Sequence, residues 1–287
     1  ETAAESTSLA QYTDITACGS KIYIAYTEGS FPYTLYAACY DTETDTMSSL
    51  GGIISENACS LSLNAGNDIL SVAYRDLNDN SKPKVATWNG SSWDVTTLSE
   101  SSSDTIESAI CGDTIYSAVT GECEGIYSLC DSQITSISFS QLSGDCFSAL
   151  PVMVRNSLYV ALNTQNEDDF SLYSYADNLV KAGNSITPEL VNSPAVVYAD
   201  GLIYAAFISE NGTTVVKHYR PKTADSIVGD VNTDGKFNLA DVVAMQSYLL
   251  CKGELNDPKA GNLCEDEVID VFDLCLMKKL LITVNIT

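Results

Sequence analysis

The sequence predicts a multidomain chain, an all-β five-bladed β-propeller followed by a small α-helical module. Three observations carry this. Residues 1–222 have almost no helical periodicity and break into short runs rich in Tyr, Val, Ile, Thr and Ser, separated by Gly, Asn and Asp turns. One of those runs recurs five times. Beyond a short joint at residues 223–227, residues 228–287 switch to apolar spacing of the helical kind.

The recurrent run is Gly19-Ser20-Lys21-Ile22-Tyr23-Ile24-Ala25-Tyr26, matched by segments around Ile69, Ile115, Leu158 and Ile203. The intervals from Ile22 onward are 47, 46, 43 and 45 residues, the period of propeller blades built from four strands. In each period a small apolar strand comes first, as in Ser193–Tyr198, and the recurrent run is second. A third strand ends at a turn, as in Ala38–Asp41, and a short polar fourth follows, as in Val95–Leu98. The fifth period stops after its third strand, Thr214–Tyr219. Ser6–Leu9 reads as a fourth strand with nothing before it, so the two leftovers are expected to complete one blade and remove an open edge. A two-sheet sandwich is the alternative, although it would not need equal periods.

In the helical module, Asp230-Val231-Asn232-Thr233-Asp234-Gly235-Lys236-Phe237-Asn238-Leu239-Ala240-Asp241 spaces oxygen donors at positions 1, 3, 5, 7, 9 and 12 of a twelve-residue loop. These are Asp230, Asn232, Asp234, the carbonyl of Lys236, Asn238 and Asp241. Gly235 stands where the backbone turns sharply. A hard cation surrounded by six to eight oxygens needs this pattern, so a Ca²⁺ site is expected here. The helix that follows carries Val242, Val243, Met245, Leu249 and Leu250 as its apolar positions.

A second copy begins at Asn262, with Asn262, Cys264, Asp266, the carbonyl of Val268, Asp270 and Asp273 at the same positions and Glu267 in place of the glycine. A second Ca²⁺ is the expectation. The alternative is a loop kept for packing alone, because a thiol is a poor calcium ligand.

The motifs GDVNTDGKFNLADVVAMQSYLL and CEDEVIDVFDLCLMKKLL, each closing its loop on Asp rather than Glu, resemble the dockerin modules of cellulosomes over about Val228 to Ile282. The degenerate second loop is similar to the divergent dockerins of rumen-type cellulosomes. The resemblance implies a module folded by calcium that plugs into a cohesin module on a scaffoldin, and hence a secreted, extracellular, cellulosome-associated protein. It places cohesin contacts at Leu239, Ala240, Gln246 and Ser247 in the first repeat and at Val271, Phe272, Lys278 and Lys279 in the second. The apolar pairs at positions 10 and 11 depart from the Ser-Thr common in the family and point to a different cohesin specificity. Leu239, Val271 and Phe272 could instead pack the module's own core.

Composition narrows the partners. With 38 acidic against 14 basic residues and a net charge of −24, nucleic acid and anionic membranes are poor partners. No apolar run approaches a membrane span. From Glu1 onward no secretion leader is visible, so the reading takes any such segment as removed or not included. Ten cysteines suit either disulfides, with Cys123 and Cys130 as the best pair, or mostly free, buried thiols, the expectation adopted here.

Propellers place ligands where their first strands converge. In register with Asp14 the sequence puts Leu61, Glu107, Leu150 and Ala195, so Asp14 and Glu107 are weak candidates for paired-carboxylate chemistry on a glycosidic bond. The alternatives are two hydrated channel carboxylates or a channel cation. His218 is the only histidine, so a Ser-His-Asp triad or a histidine-rich zinc site is hard to build. Trp88 and Trp93, with Tyr40 and Tyr175, could form an aromatic platform for plant-cell-wall polysaccharide, or pack between blades. The expected function is therefore cohesin attachment carrying a carbohydrate- or protein-binding propeller. The alternative is a glycoside hydrolase-like enzyme with its site in the channel.

Overall fold

A computed structural model describes residues 10–139, 146–154, 157–164, 169–175, 178–182, 185–199, 201–219, 221, 228–233, 236–264, 266 and 268–284. The N-terminal closing strand expected at Ser6–Leu9, the joint at 223–227, and Asp234 and Gly235 of the first loop lie outside the described residues.

The fold is a five-bladed β-propeller with a few helices at the C-terminus. The first blade is β1 (Thr13–Cys18), β2 (Lys21–Glu28), β3 (Thr34–Asp41) and β4 (Thr46–Ser49). β5 (Ala58–Gly66), β6 (Ile69–Asp76), β7 (Lys82–Trp88) and β8 (Trp93–Thr97) form the second. The third comprises β9 (Thr105–Cys111), β10 (Thr114–Thr120), β11 (Gly125–Cys130) and β12 (Gln133–Ser138). Then come β13 (Cys146–Val154), β14 (Ser157–Thr164), β15 (Asp169–Tyr175) and β16 (Leu179–Lys181). The last sheet is three-stranded among the described residues: β17 (Asn192–Ala199), β18 (Leu202–Ile208) and β19 (Thr214–Tyr219). Each sheet runs in simple sequence order, which is what two-residue turns between strands permit. Asn67-Asp68 and Asp131-Ser132 have positive φ at both residues, the backbone of the hairpin turn that matches strand twist.

Sheets pack face to face through small and branched side chains. Ala25, Leu35, Ala37, Leu63, Val72 and Tyr74 form one core between the first two blades. Val85, Ile106, Ile115 and Val119 fill the next, and Ala118, Ile126, Ala149, Val160 and Leu162 the one after. Trp88 and Trp93, 5.2 Å apart, belong to this packing: the Trp93 indole donates to the Leu50 carbonyl at 2.8 Å in the neighbouring blade. Tyr175 meets Tyr116 edge to face at 5.8 Å across the third and fourth blades. Tyr40 donates to Asp45 within its own hairpin. The four aromatics singled out in the sequence therefore build no common platform.

None of the ten cysteines forms a disulfide. Cys123 donates to the Ser102 carbonyl at 3.2 Å instead of pairing with Cys130. Only Cys39, Cys59, Cys123 and Cys146 are buried, so the expectation of mostly buried thiols is corrected: strand ends, and loop and helix positions near the C-terminus, leave the other six at least partly open.

The C-terminal part contains α1 (Leu239–Leu249), α2 (Pro258–Gly261) and α3 (Val271–Val284) around a core of Val231, Val242, Met245, Leu255, Leu274 and Met277. α2 was missed in the sequence, though Asp257 as N-cap before Pro258 is its local signal. Val243 and Leu250, expected on the apolar face, are exposed, because the core is small and takes only one narrow stripe of α1.

Candidate functional site

Two loop–helix junctions in the C-terminal part are built alike. Asn238 is the N-cap of α1: its side chain accepts from the Ala240 N–H at 2.8 Å, and Asp241 Oδ2 accepts from the Asn238 N–H at 2.8 Å. Asp241 Oδ1 reaches back to the Asn232 N–H at 3.1 Å. In the second copy, Asp270 accepts from the Phe272 N–H at 2.7 Å and Asp273 Oδ2 from the Asp270 N–H at 3.0 Å. Asp273 Oδ1 takes the Leu263 and Cys264 N–H groups at 2.8 and 3.0 Å. The residue that closes each loop is thus also the third residue of the helix, where a carboxylate completes a capping box.

Asp241 and Asp273 are both 0% exposed, and Asp230 is buried. Burial raises the Asp273 carboxyl, but the Cys264 thiol and the backbone donors outweigh it, so the group lies below the usual carboxylate range. Burying three carboxylates in so small a module is costly without compensating cations or donors. The first loop's described donors are all oxygens and fit calcium: Asp230, Asn232, the Lys236 carbonyl, Asn238 and Asp241 would hold it, with lone pairs to spare on each carboxylate oxygen. In the second loop, Asn262 Oδ1 is shut off from solvent with no hydrogen-bond partner. Val268 keeps its side chain outward, consistent with a carbonyl-only role at position 7.

Of the residues assigned to a partner surface, Leu239 is 65%, Val271 57% and Phe272 68% exposed, so they do not pack the module's own core. A groove of about 410 Å³ lies beside them, lined by Gln246, Leu249, Leu250, Ile269, Asp270, Val271 and Leu274. Ala240 and Gln246 are also exposed, and Ser247 is half-buried, its hydroxyl donating to the Val243 carbonyl at 3.0 Å. Lys278 and Lys279 lie on the open side of α3.

In the propeller, Asp14 and Glu107 do come together. Asp14 lies opposite Ala25 on β1–β2, and Glu107 opposite Ala118 on β9–β10. On the intervening blade the equivalent residue, opposite Ala73, is Ser62 rather than Leu61. A β-bulge between Cys59 and Ser62, with Ser60 at φ +54°, shifts the register by one and turns Leu61 toward the core. Asp14 Oδ2 accepts from the Leu63 N–H at 2.6 Å, and its Oδ1 from the Ile15 N–H at 2.8 Å. Burial pushes the Glu107 carboxyl up to about 7, helped by the Asp14 charge and opposed by the Ser62 hydroxyl. Around them the inner strands are hydroxyl- and amide-lined. Ser108 donates its N–H to Ser62 Oγ at 2.9 Å, and the Asn64 amide donates to Ser108 Oγ at 2.8 Å. These residues went unnoticed because Ser and Asn in a strand carry no signal by themselves. One carboxyl that holds its proton near neutrality beside another that is fixed by backbone donors is the arrangement acid–base catalysis uses.

A further aromatic group was not anticipated. Phe31 meets Tyr33 edge to face at 5.7 Å, and Tyr33 meets Tyr12 at 5.6 Å, with Phe31 exposed. Burial pushes the Tyr12 hydroxyl up, with the Arg75 charge opposing it. Phe31-Pro32-Tyr33 in a Gly/Ser turn was its only trace in the sequence. His218 is exposed on β19, with Tyr204 at 6.3 Å as its ring neighbour. Among the described residues no helix is long and apolar enough to cross a membrane.

No protein-family model matches the chain. No curated protein matches it either. Among solved structures, the crystal structure of the polysaccharide lyase Uly1 is similar over 74% of this chain at a TM-score of 0.50 and 7% identity. The chain spans 58% of that structure's length. At this identity the likeness concerns the fold.

Because Glu107 binds its proton more tightly folded than unfolded, its contribution to stability is complete below about pH 4.5 and disappears as pH rises through about 7. Replacing it by Gln removes that dependence. Urea unfolding at pH 5 and pH 8 should show the wild type losing on the order of 2–3 kcal/mol more than Glu107→Gln between the two. Equal losses in the two proteins would mean that Glu107 is not held in its protonated form.

Proposed function

We propose that this chain is a cellulosome component. Its C-terminal module acts as a dockerin that binds a cohesin on a scaffoldin in a calcium-dependent way, and its propeller binds plant-cell-wall polysaccharide. A secreted, extracellular location follows from that role. The observation that carries the reading is the matched pair of loop–helix junctions, in which Asp241 and Asp273 make the same bonds thirty-two residues apart. Duplicated junctions that bury a carboxylate each are what a metal-ordered repeat requires, and the apolar Leu239, Val271 and Phe272 left exposed beside them suit a protein partner. The polysaccharide part of the reading draws support from the exposed Phe31 with Tyr33 and Tyr12, since aromatic faces cover the apolar faces of sugar rings.

A second reading is favoured by one observation, the proton-holding Glu107 beside Asp14. On this reading the propeller is a glycoside hydrolase-like enzyme in which Glu107 gives its proton to the leaving oxygen and Asp14 acts as the second carboxylate.

Calorimetric titration of the full chain with a panel of scaffoldin cohesins, in calcium and in chelator, tests the attachment. Binding to at least one cohesin that disappears in chelator is expected; calcium uptake with no cohesin bound would remove the docking role. Retention on immobilised plant-cell-wall polysaccharides should weaken roughly 10-fold in Phe31→Ala, the size of a lost aromatic contact. Unchanged retention would take the aromatic group out of the site. If incubation with those polysaccharides releases sugar, Glu107→Gln should abolish release while cohesin binding persists, and release surviving in the variant would exclude the channel as the site.

A further inference from the structure

The two loops of the C-terminal module share a scaffold but differ in their donor atoms. Position 3 is Asn232 in the first loop and Cys264 in the second. The second loop brings Cys264 Sγ and carboxylate oxygens of Asp266 and Asp273 within 4.8 Å of one another. Sγ lies 2.9 Å from Asp273 Oδ1, donating to it. A separate observation comes from the same loop. Asn262 Oδ1 is shut off from solvent without a hydrogen-bond partner, while the Nδ2 of the same amide donates to the Asp266 carbonyl. An acceptor buried in that way is costly, and a cation would offset the cost.

We propose that the second loop is a site for a thiophilic divalent cation of the zinc class, held by Cys264, Asp266, Asp273 and Asn262, and not a second calcium site. Calcium needs six to eight oxygens, and a sulfur at position 3 removes one of them and adds a poor donor. Zinc takes four ligands and accepts cysteine sulfur together with carboxylate oxygen. One sulfur and three oxygens make that number. On binding, the thiol proton leaves to solvent and the sulfur–Asp273 hydrogen bond gives way to two bonds to the metal. The first loop, whose described donors are all oxygens, keeps calcium, so a single module would carry two chemically different ions. This assignment rests on the second loop's own atoms and holds whether or not the module docks on a cohesin.

The test uses the full chain stripped of metal. After dialysis against calcium and zinc together, elemental analysis should find one calcium and one zinc per chain. Cadmium in place of zinc should produce thiolate-to-metal charge-transfer absorption. In Cys264→Ser the zinc equivalent should weaken roughly 100-fold or more and the Cys264 share of the cadmium absorption should vanish, with calcium uptake by the first loop unchanged. Cys264→Asp should exchange zinc for a second calcium; its first-loop calcium reports a folded module even if the serine variant misfolds. Two calcium ions in the wild type with zinc displaced by calcium, or zinc held equally well by Cys264→Ser, would overturn the proposal.

Discussion

A twisted antiparallel sheet with two apolar faces must bury both, and most of this molecule follows from that constraint. Here successive sheets of the first four blades bury their faces against one another. The residues that make this possible are small or branched ones on the second strands, Ala25, Val72, Ala73, Ala118, Val160 and Ala161 among them, which let sheets approach at the spacing of sheet-on-sheet packing. Packing successive blades face to face fixes the repeat length within narrow limits. It also turns the first strands toward one another, and so brings Asp14 and Glu107 from blades that are not adjacent in sequence to the same region.

The inner strands then face a different requirement. Their outer neighbours are apolar, but Ser62, Asn64 and Ser108 on the first strands form hydrogen bonds that join the second and third blades. Glu107 lies among these groups with too little solvent to ionise readily and with a negative neighbour at Asp14. Partial burial and a like charge act in the same direction, which is why its carboxyl titrates near neutrality.

The C-terminal module is governed by capping more than by packing. Its core consists of a handful of side chains around Met245 and Met277, too few to hold two helices firmly by apolar burial alone. The buried Asp241 and Asp273 supply the missing order: each ties a loop to the first turn of a helix through two or more backbone N–H groups. The same device, a carboxylate that closes its loop and caps the helix it begins, is used in both repeats.

The sequence by itself determined the five near-equal strand periods, the order of strands within each, and the two loop–helix units. All of these are patterns of local chemistry: alternation, turn residues and donor spacing. It also picked out Asp14 and Glu107 from register. What it misjudged depended on events outside the local pattern. A bulge at Ser60 exchanged Leu61 for Ser62 at the channel, because one extra residue turns a strand over without changing its composition. Trp88 and Trp93 went to the packing between blades, and Phe31, Tyr33 and Tyr12 formed the aromatic group instead. Leu239, Val271 and Phe272 had two readings in the sequence, core or surface, and only the tertiary structure decided for the surface. An apolar residue on a short helix carries no record of whether the core beneath it is large enough to cover it.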